Sequence, residues 1–203
     1  MGKLLAFAVA AACFGGAANA QAVSEIGDAG ELLGTAQIIS GGVTSISGTI
    51  SDLGTTTNID DIDLYSFTIS TPGLFSVNVG SNLSADNDAK LFLFNNFGQL
   101  VASDDDSGVG LRPQFNAGSI AGLTAGQYFL AYNLYDATPI FTDGTLSGWD
   151  RAPNPFQIGN YTLTIGGAGG VPEPGTWAMM IAGFGLIGGA MRRRMKTAKL
   201  VNC

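Results

Sequence analysis

The 203-residue sequence contains no histidine, and its two cysteines, Cys13 and Cys203, lie at opposite extremes. Those two absences exclude much chemistry. Ser-His-Asp and Cys-His nucleophilic catalysis both need histidine, and ordinary zinc sites need histidine or cysteine clusters. If both ends are processed away, neither cysteine can be part of an internal disulfide framework. Basic residues are nearly missing from the body: between Gln21 and Val171 only Lys90, Arg112 and Arg151 occur, against fifteen acids, a net of −12. Nucleic-acid binding needs a basic footprint, so no nucleic-acid partner is expected. Long apolar runs are confined to the two ends, and no amphipathic helix of useful length follows Gln21.

The beginning of the chain has Lys3, an apolar run over residues 4–14, and the small-x-small triplet Ala18-Asn19-Ala20. A basic start, a short apolar stretch and a small-residue site in that order predict a secretory signal peptide over residues 1–20, cleaved before Gln21. A lipid-modified Cys13 is disfavoured, because Ala10, Ala11 and Ala12 precede it with no leucine among them.

The other end is also organised in three parts. Pro172-Glu173-Pro174 comes first; its prolines cannot continue a helix and keep the backbone extended. Residues 175–191 carry no charge, then Arg192, Arg193, Arg194, Lys196 and Lys199 follow. As a helix, those 17 residues would reach about 25 Å, against a hydrocarbon core of about 30 Å. A short transmembrane helix over residues 176–191 is therefore expected, its basic end (residues 196–203) cytoplasmic and the bulk of the chain across the membrane.

These residues, with Trp177 and Ala178 after the Pro-Glu-Pro, resemble a PEP-CTERM sorting signal of Gram-negative bacteria over residues 172–195. The resemblance implies recognition by exosortase, a membrane cysteine protease-transpeptidase. It also implies an inner-membrane intermediate, removal of the tail, and delivery of the body to the cell surface or extracellular matrix.

Between the two signals, apolar residues recur every second position. Tyr65, Phe67 and Ile69 alternate with Ser66, Thr68 and Ser70, and Phe75, Val77 and Val79 alternate with Ser76 and Asn78. That period predicts half-buried strands. Further strands are expected at residues 43–50, 91–94, 100–103, 127–133 and 161–165, separated by turns such as Thr71-Pro72-Gly73 and residues 95–98. Residues 91–94 are apolar on both faces, which predicts an interior strand. The expected architecture is all-β, a single antiparallel β-sandwich. A lead-in over residues 21–42 precedes it and a linker at 167–171 follows.

The succession Asp61-Ile62-Asp63-Leu64-Tyr65-Ser66-Phe67, Ala89 to Phe94, Ala102 to Gly108, Ala125 to Leu130 and Gly159 to Thr164 resembles the bacterial pre-peptidase C-terminal domain across residues 43–166. The resemblance implies a jelly-roll-like sandwich, usually an accessory domain trimmed from proteases or aiding binding to insoluble polymers. Here there is no attached protease domain, and residues 134–158 form a long insertion before the last strand.

Two acidic clusters, Asp60-Asp61-Ile62-Asp63 and Asp104-Asp105-Asp106-Ser107-Gly108, suggest a site for a hard cation; Asp86-Asn87-Asp88 is a third, smaller group. Calcium takes six to eight oxygens and accepts loop carboxylates and carbonyls. Asp61, Asp63, Asp104, Asp105 and Asp106 are the candidate calcium ligands, and some relatives of the resembled domain bind calcium. The competing reading is a set of solvated turns, since aspartate is a common turn former. In the insertion, Phe141, Trp149, Arg151 and Phe156 offer aromatic and basic groups. Trp149 is a candidate sugar-stacking contact; the plainer reading has Trp149 and Phe156 closing one end of the sandwich core.

The sequence as a whole reads as a non-enzymatic, exported surface or exopolysaccharide-associated protein. A carbohydrate-binding module is the alternative, and a calcium-dependent hydrolase a weaker one, since paired carboxylates can hydrolyse glycosides.

Overall fold

The computed structural model describes residues 20–52, 59–60, 62–81, 88–151, 158–169 and 183–184. The expected signal segment and sorting tail lie outside these residues, apart from Ala20, Gly183 and Phe184. Among the described residues no helix is long and apolar enough to cross a membrane.

Among the described residues, thirteen strands run in chain order: β1 (Ala20–Ser24), β2 (Gln37–Ile38), β3 (Gly42–Asp52), β4 (Ile59–Asp60), β5 (Ile62–Ile69), β6 (Ser76–Ser81), β7 (Ala89–Asn95), β8 (Leu100–Asp104), β9 (Gln114–Phe115), β10 (Gly126–Leu134), β11 (Thr138–Thr142), β12 (Thr145–Asp150) and β13 (Ile158–Gly166). A single 3-10 turn, Pro72–Leu74, opens on proline, whose fixed φ suits the first position of a helical turn. The first sheet has the order β1-β3-β13-β6-β9, with β4 beside β3; the second is β2-β5-β10-β7-β8; β11 and β12 form a separate hairpin.

The two sheets pack face to face. Ile46, Ile50, Val77, Phe115, Tyr161, Leu163 and Ile165 from the first meet Tyr65, Phe67, Ile69, Leu91, Leu93, Leu130 and Tyr132 from the second. This is the alternation expected from the sequence: Tyr65, Phe67 and Ile69 point inward together.

Three features depart from expectation. The sandwich is mixed, because the lead-in is part of it. β1 pairs parallel with β3 and β2 pairs parallel with β5, so residues 20–38 add an edge strand to each sheet in turn. Glu25 fixes the crossing by accepting the backbone N–H groups of Ala29 and Thr49.

The insertion also forms more structure than expected. Its hairpin β11–β12 lies over the outer face of the second sheet, where Leu64, Phe92, Phe94, Phe129, Ala131 and Leu146 make a second apolar cluster. Leu33, Ala36 and Trp149 pack against that cluster. This explains the two apolar faces of β7: Leu91 and Leu93 enter one cluster, Phe92 and Phe94 the other.

Third, the interior contains a polar network. Asp63 shares the inward parity of Tyr65 and is fully buried. The Tyr161 hydroxyl donates to its carboxyl, and the Tyr65 and Tyr161 hydroxyls are 2.5 Å apart. Tyr161 lies across Gly48 on the paired strand, where a Cβ would overlap the tyrosine ring.

β13 leaves the sandwich through Gly167, at φ 73°. Its carbonyl accepts from the N–H groups of Ser70 and Thr71, and Gly169 N–H donates to Thr68. A Cβ at Gly167 would crowd the Phe75 nitrogen and the Thr71 carbonyl. Gly167→Ala is therefore expected to destabilise by more than the roughly 1–2 kcal/mol of left-handed backbone alone. Guanidinium unfolding measures this, and a variant within 0.5 kcal/mol of the parent, about the noise of a neutral surface change, would show that this exit is not tightly held.

Candidate functional site

Three places have chemistry to weigh: the acidic loops, the covered face around Trp149, and the root of the tail.

The loop after β8 begins with Asp104, whose carboxylate accepts from the backbone N–H of Ser107 at 3.2 Å and of Gln114 at 2.6 Å, and from the Ser107 hydroxyl. Asp104 thus closes its own loop and holds β9 beside it. Asp105 and Asp106 turn the other way. Their carboxylate oxygens and one from Asp88 lie within 4.8 Å of one another. Asp105 and Asp106 border an open trough lined also by Lys90, Phe92, Ser103 and Thr138. One Asp105 oxygen, Oδ1, is buried without a hydrogen-bond partner, and the other lies 3.9 Å from Lys90 Nζ. Burial pushes the Asp105 carboxyl above its usual range; Lys90 pulls it back, and Asp106 and Asp104 raise it further. The Lys90 ammonium also sits 5.0 Å from the Tyr135 ring centroid.

The expected five-aspartate set is not one site. Asp63 is on β5, and β10 and β7 separate that strand from β8. Two intervening strands put it at least three strand spacings, about 14 Å, from Asp104, and Asp63 is inside the sandwich with Tyr161. Asp61 lies outside the described residues. Among the described residues, the carboxylates that converge are Asp88, Asp105 and Asp106, joined because β7 and β8 are neighbours.

Trp149 is not at an end of the core, as the plainer sequence reading had it, but on the flank of the second sheet. Its ring meets Phe92 edge-on at 5.7 Å and Phe94 at 6.2 Å. The indole N–H donates to the Glu31 carbonyl at 2.8 Å. Two residues on, the Arg151 guanidinium forms a fork on the Glu31 carboxylate, at 2.7 and 2.8 Å. Trp149 and Arg151 together clamp the hairpin to the lead-in. Phe156 lies outside the described residues. The Glu31–Arg151 pair had no signature in the sequence, since 120 positions separate the partners.

The tail root is Gly167 to Gly169, which follows β13 of the first sheet and is hydrogen-bonded to the end of β5 in the second. The residues expected to carry sorting, Pro172, Glu173, Pro174, Trp177, Ala178, Arg192, Arg193 and Arg194, follow outside the described residues, as does Ala18 of the cleavage site. Gln21 is exposed on the edge strand β1.

No curated protein matches this chain. Among solved structures, a pre-peptidase C-terminal domain of collagenase from Bacillus anthracis is similar, at 17% identity and a TM-score of 0.37, over 64% of this chain and 92% of that one. Residues 170–194 match the family model of the PEP-CTERM protein-sorting motif. That motif indicates an exported protein that carries a PEP-CTERM sorting signal and is handled by an exosortase.

Proposed function

We propose that the chain is a non-enzymatic structural protein of the bacterial surface or extracellular matrix, held briefly in the inner membrane by residues 176–191 and then released by exosortase. The observation that carries this reading is the sorting motif at residues 170–194, directly after the tail root that is hydrogen-bonded to the end of β5. A processing enzyme would then meet the end of the body, Pro172-Glu173-Pro174, whose prolines cannot continue a helix, and a short apolar stretch. The composition supports a passive body: the fifteen acids favour solubility outside a cell.

Intact-mass analysis of surface-extracted protein tests the reading. The expected mature form begins at Gln21, ends near Pro172 to Gly175, and lacks the arginine cluster. A mature form ending at Cys203 would make the tail a plain anchor and remove exosortase from the account.

A calcium-binding role is supported separately by the converging oxygens of Asp88, Asp105 and Asp106 and by the unsatisfied Asp105 Oδ1. All-oxygen donors in a solvent-open trough suit a hard cation that keeps some of its water. These three carboxylates would hold it, and its role would be to tie the β8–β9 loop to the start of β7. If it binds the folded state alone, calcium at a hundredfold excess over Kd should add about 2.7 kcal/mol. The expected result is a higher melting temperature with calcium than with chelator, lost in Asp106→Asn. Superimposable melting curves would return these aspartates to solvated turns.

Association with exopolysaccharide is the alternative role for the body. Glycan-array binding separates it from a passive one.

A further inference from the structure

The two ends of the sandwich differ in charge. Strand directions place residues 39–42, 70–75, 96–99, 116–125 and 167–169 at one end. None of these residues is charged. Leu74 and Phe97 stand there, 63% and 67% exposed. The hairpin carrying Asp143 at its tip meets this end, where Leu146 N–H donates to the Gly98 carbonyl. The opposite end carries Asp88, Asp104, Asp105, Asp106 and Asp136, and its exposed Val109 and Leu111 sit between those acids and Arg112.

Both membrane-directed segments leave from the uncharged end. β1 starts there, with Ala20 opposite Gly42, and β13 finishes there, with Thr164 opposite Ser45. The expected apolar stretch begins at Gly175, so residues 170–174 alone link it to Gly169. Fully extended, that link spans about 20 Å.

We propose that the uncharged end is a membrane-facing surface: in the tail-anchored state it rests on an anionic phospholipid bilayer, with Leu74 and Phe97 entering the interface. This rests on the reading of residues 176–191 as a membrane anchor. The short tether holds this end near the bilayer, and charge sets the orientation. An anionic surface repels carboxylates within about a Debye length, some 8–10 Å. Asp104 pairs with Leu91, four residues or about 13 Å along β7 from Asn95 at the uncharged end, so standing the body upright keeps its backbone beyond that range. Laid on its side or inverted, the body would bring the aspartates into it.

The test uses the chain from Gln21 to Cys203, the form expected after signal cleavage, with Cys203→Ser, reconstituted into vesicles of phosphatidylethanolamine and phosphatidylglycerol. Spin labels are placed singly through Leu74→Cys, Phe97→Cys, Ala121→Cys and, at the acidic end, Val109→Cys. Sedimentation with the vesicles reports anchoring, and collision with oxygen and with a water-soluble nickel chelate reports depth. The expected result is sedimentation of every variant. Labels at 74, 97 and 121 should lose access to the chelate and gain access to oxygen, while the label at 109 stays fully open to the chelate. Leu74→Glu with Phe97→Glu should return the label at 121 to the chelate while the chain still sediments. A sedimenting chain whose labels at both ends are equally open to the chelate overturns the proposal and leaves the anchor standing. A chain that does not sediment overturns the anchor and the proposal with it.

Discussion

Tyr161→Ala is expected to cost about 3–5 kcal/mol, the range for truncating a buried large aromatic. Tyr161 is 1% exposed, its ring centroid lies 4.2 Å from that of Tyr132, and Gly48 leaves the space that it fills. Tyr161→Phe isolates the hydroxyl. It keeps the ring but leaves the buried Asp63 carboxyl short of one donor and the Tyr65 hydroxyl short of a partner, at about 1–3 kcal/mol.

The same network has a pH signature. Burial first, then the Asp63 carboxyl and Tyr65, hold the Tyr161 phenol well above its usual value of about 10. The folded state therefore favours the protonated phenol. Its contribution is complete below pH 10, the unfolded value, and is lost as pH climbs from there towards the folded value. Urea unfolding at neutral and alkaline pH should show a decline above about pH 10 that Tyr161→Phe makes shallower. A neutral-pH stability unchanged by Tyr161→Phe would mean that the Asp63 carboxyl gains nothing from this hydroxyl.

Trp149→Ala is the second large effect. The ring is partly exposed, so about 2–3 kcal/mol is expected, below the 3–5 kcal/mol of full burial. The loss would come from edge-on contacts with Phe92 and Phe94 and from the bond to the Glu31 carbonyl. Because the hairpin covers an apolar face, the variant should also bind a hydrophobic dye. Arg151→Ala should cost less, about 0.2–1 kcal/mol, since the pair it breaks is about a quarter exposed and solvent screens it. A fully stable Trp149→Ala that no longer binds glycan or matrix would instead make Trp149 a sugar platform.

The acidic site was only half legible. Three adjacent aspartates marked a loop of interest, but their roles follow from which N–H groups come near. Asp104 met the backbone of Ser107 and Gln114 and became part of the turn, while its neighbours met Asp88 across a strand pair. Asp63 could have been excluded by parity alone: it shares the face of Tyr65, Phe67 and Ile69, so the alternation that found the strand also sends the carboxyl inward.

The sequence alone determined what depends on neighbours along the chain. Period-two alternation marked the main strands because successive side chains in a strand point to opposite faces. The order of proline pair, apolar stretch and arginines marked the sorting tail, because a signal read as an extended segment needs no tertiary context. Tertiary structure alone decided what depends on distant residues meeting. The lead-in became two edge strands because β3 and β5 offered unpaired edges, a property of sheet order that residues 20–38 do not encode locally. The insertion became a cover because Phe92, Phe94 and Phe129 present one apolar face only after β7 and β10 pair. The uncharged end arose in the same way: five loops, scattered from residue 39 to residue 169, become one surface only when the strand directions gather them.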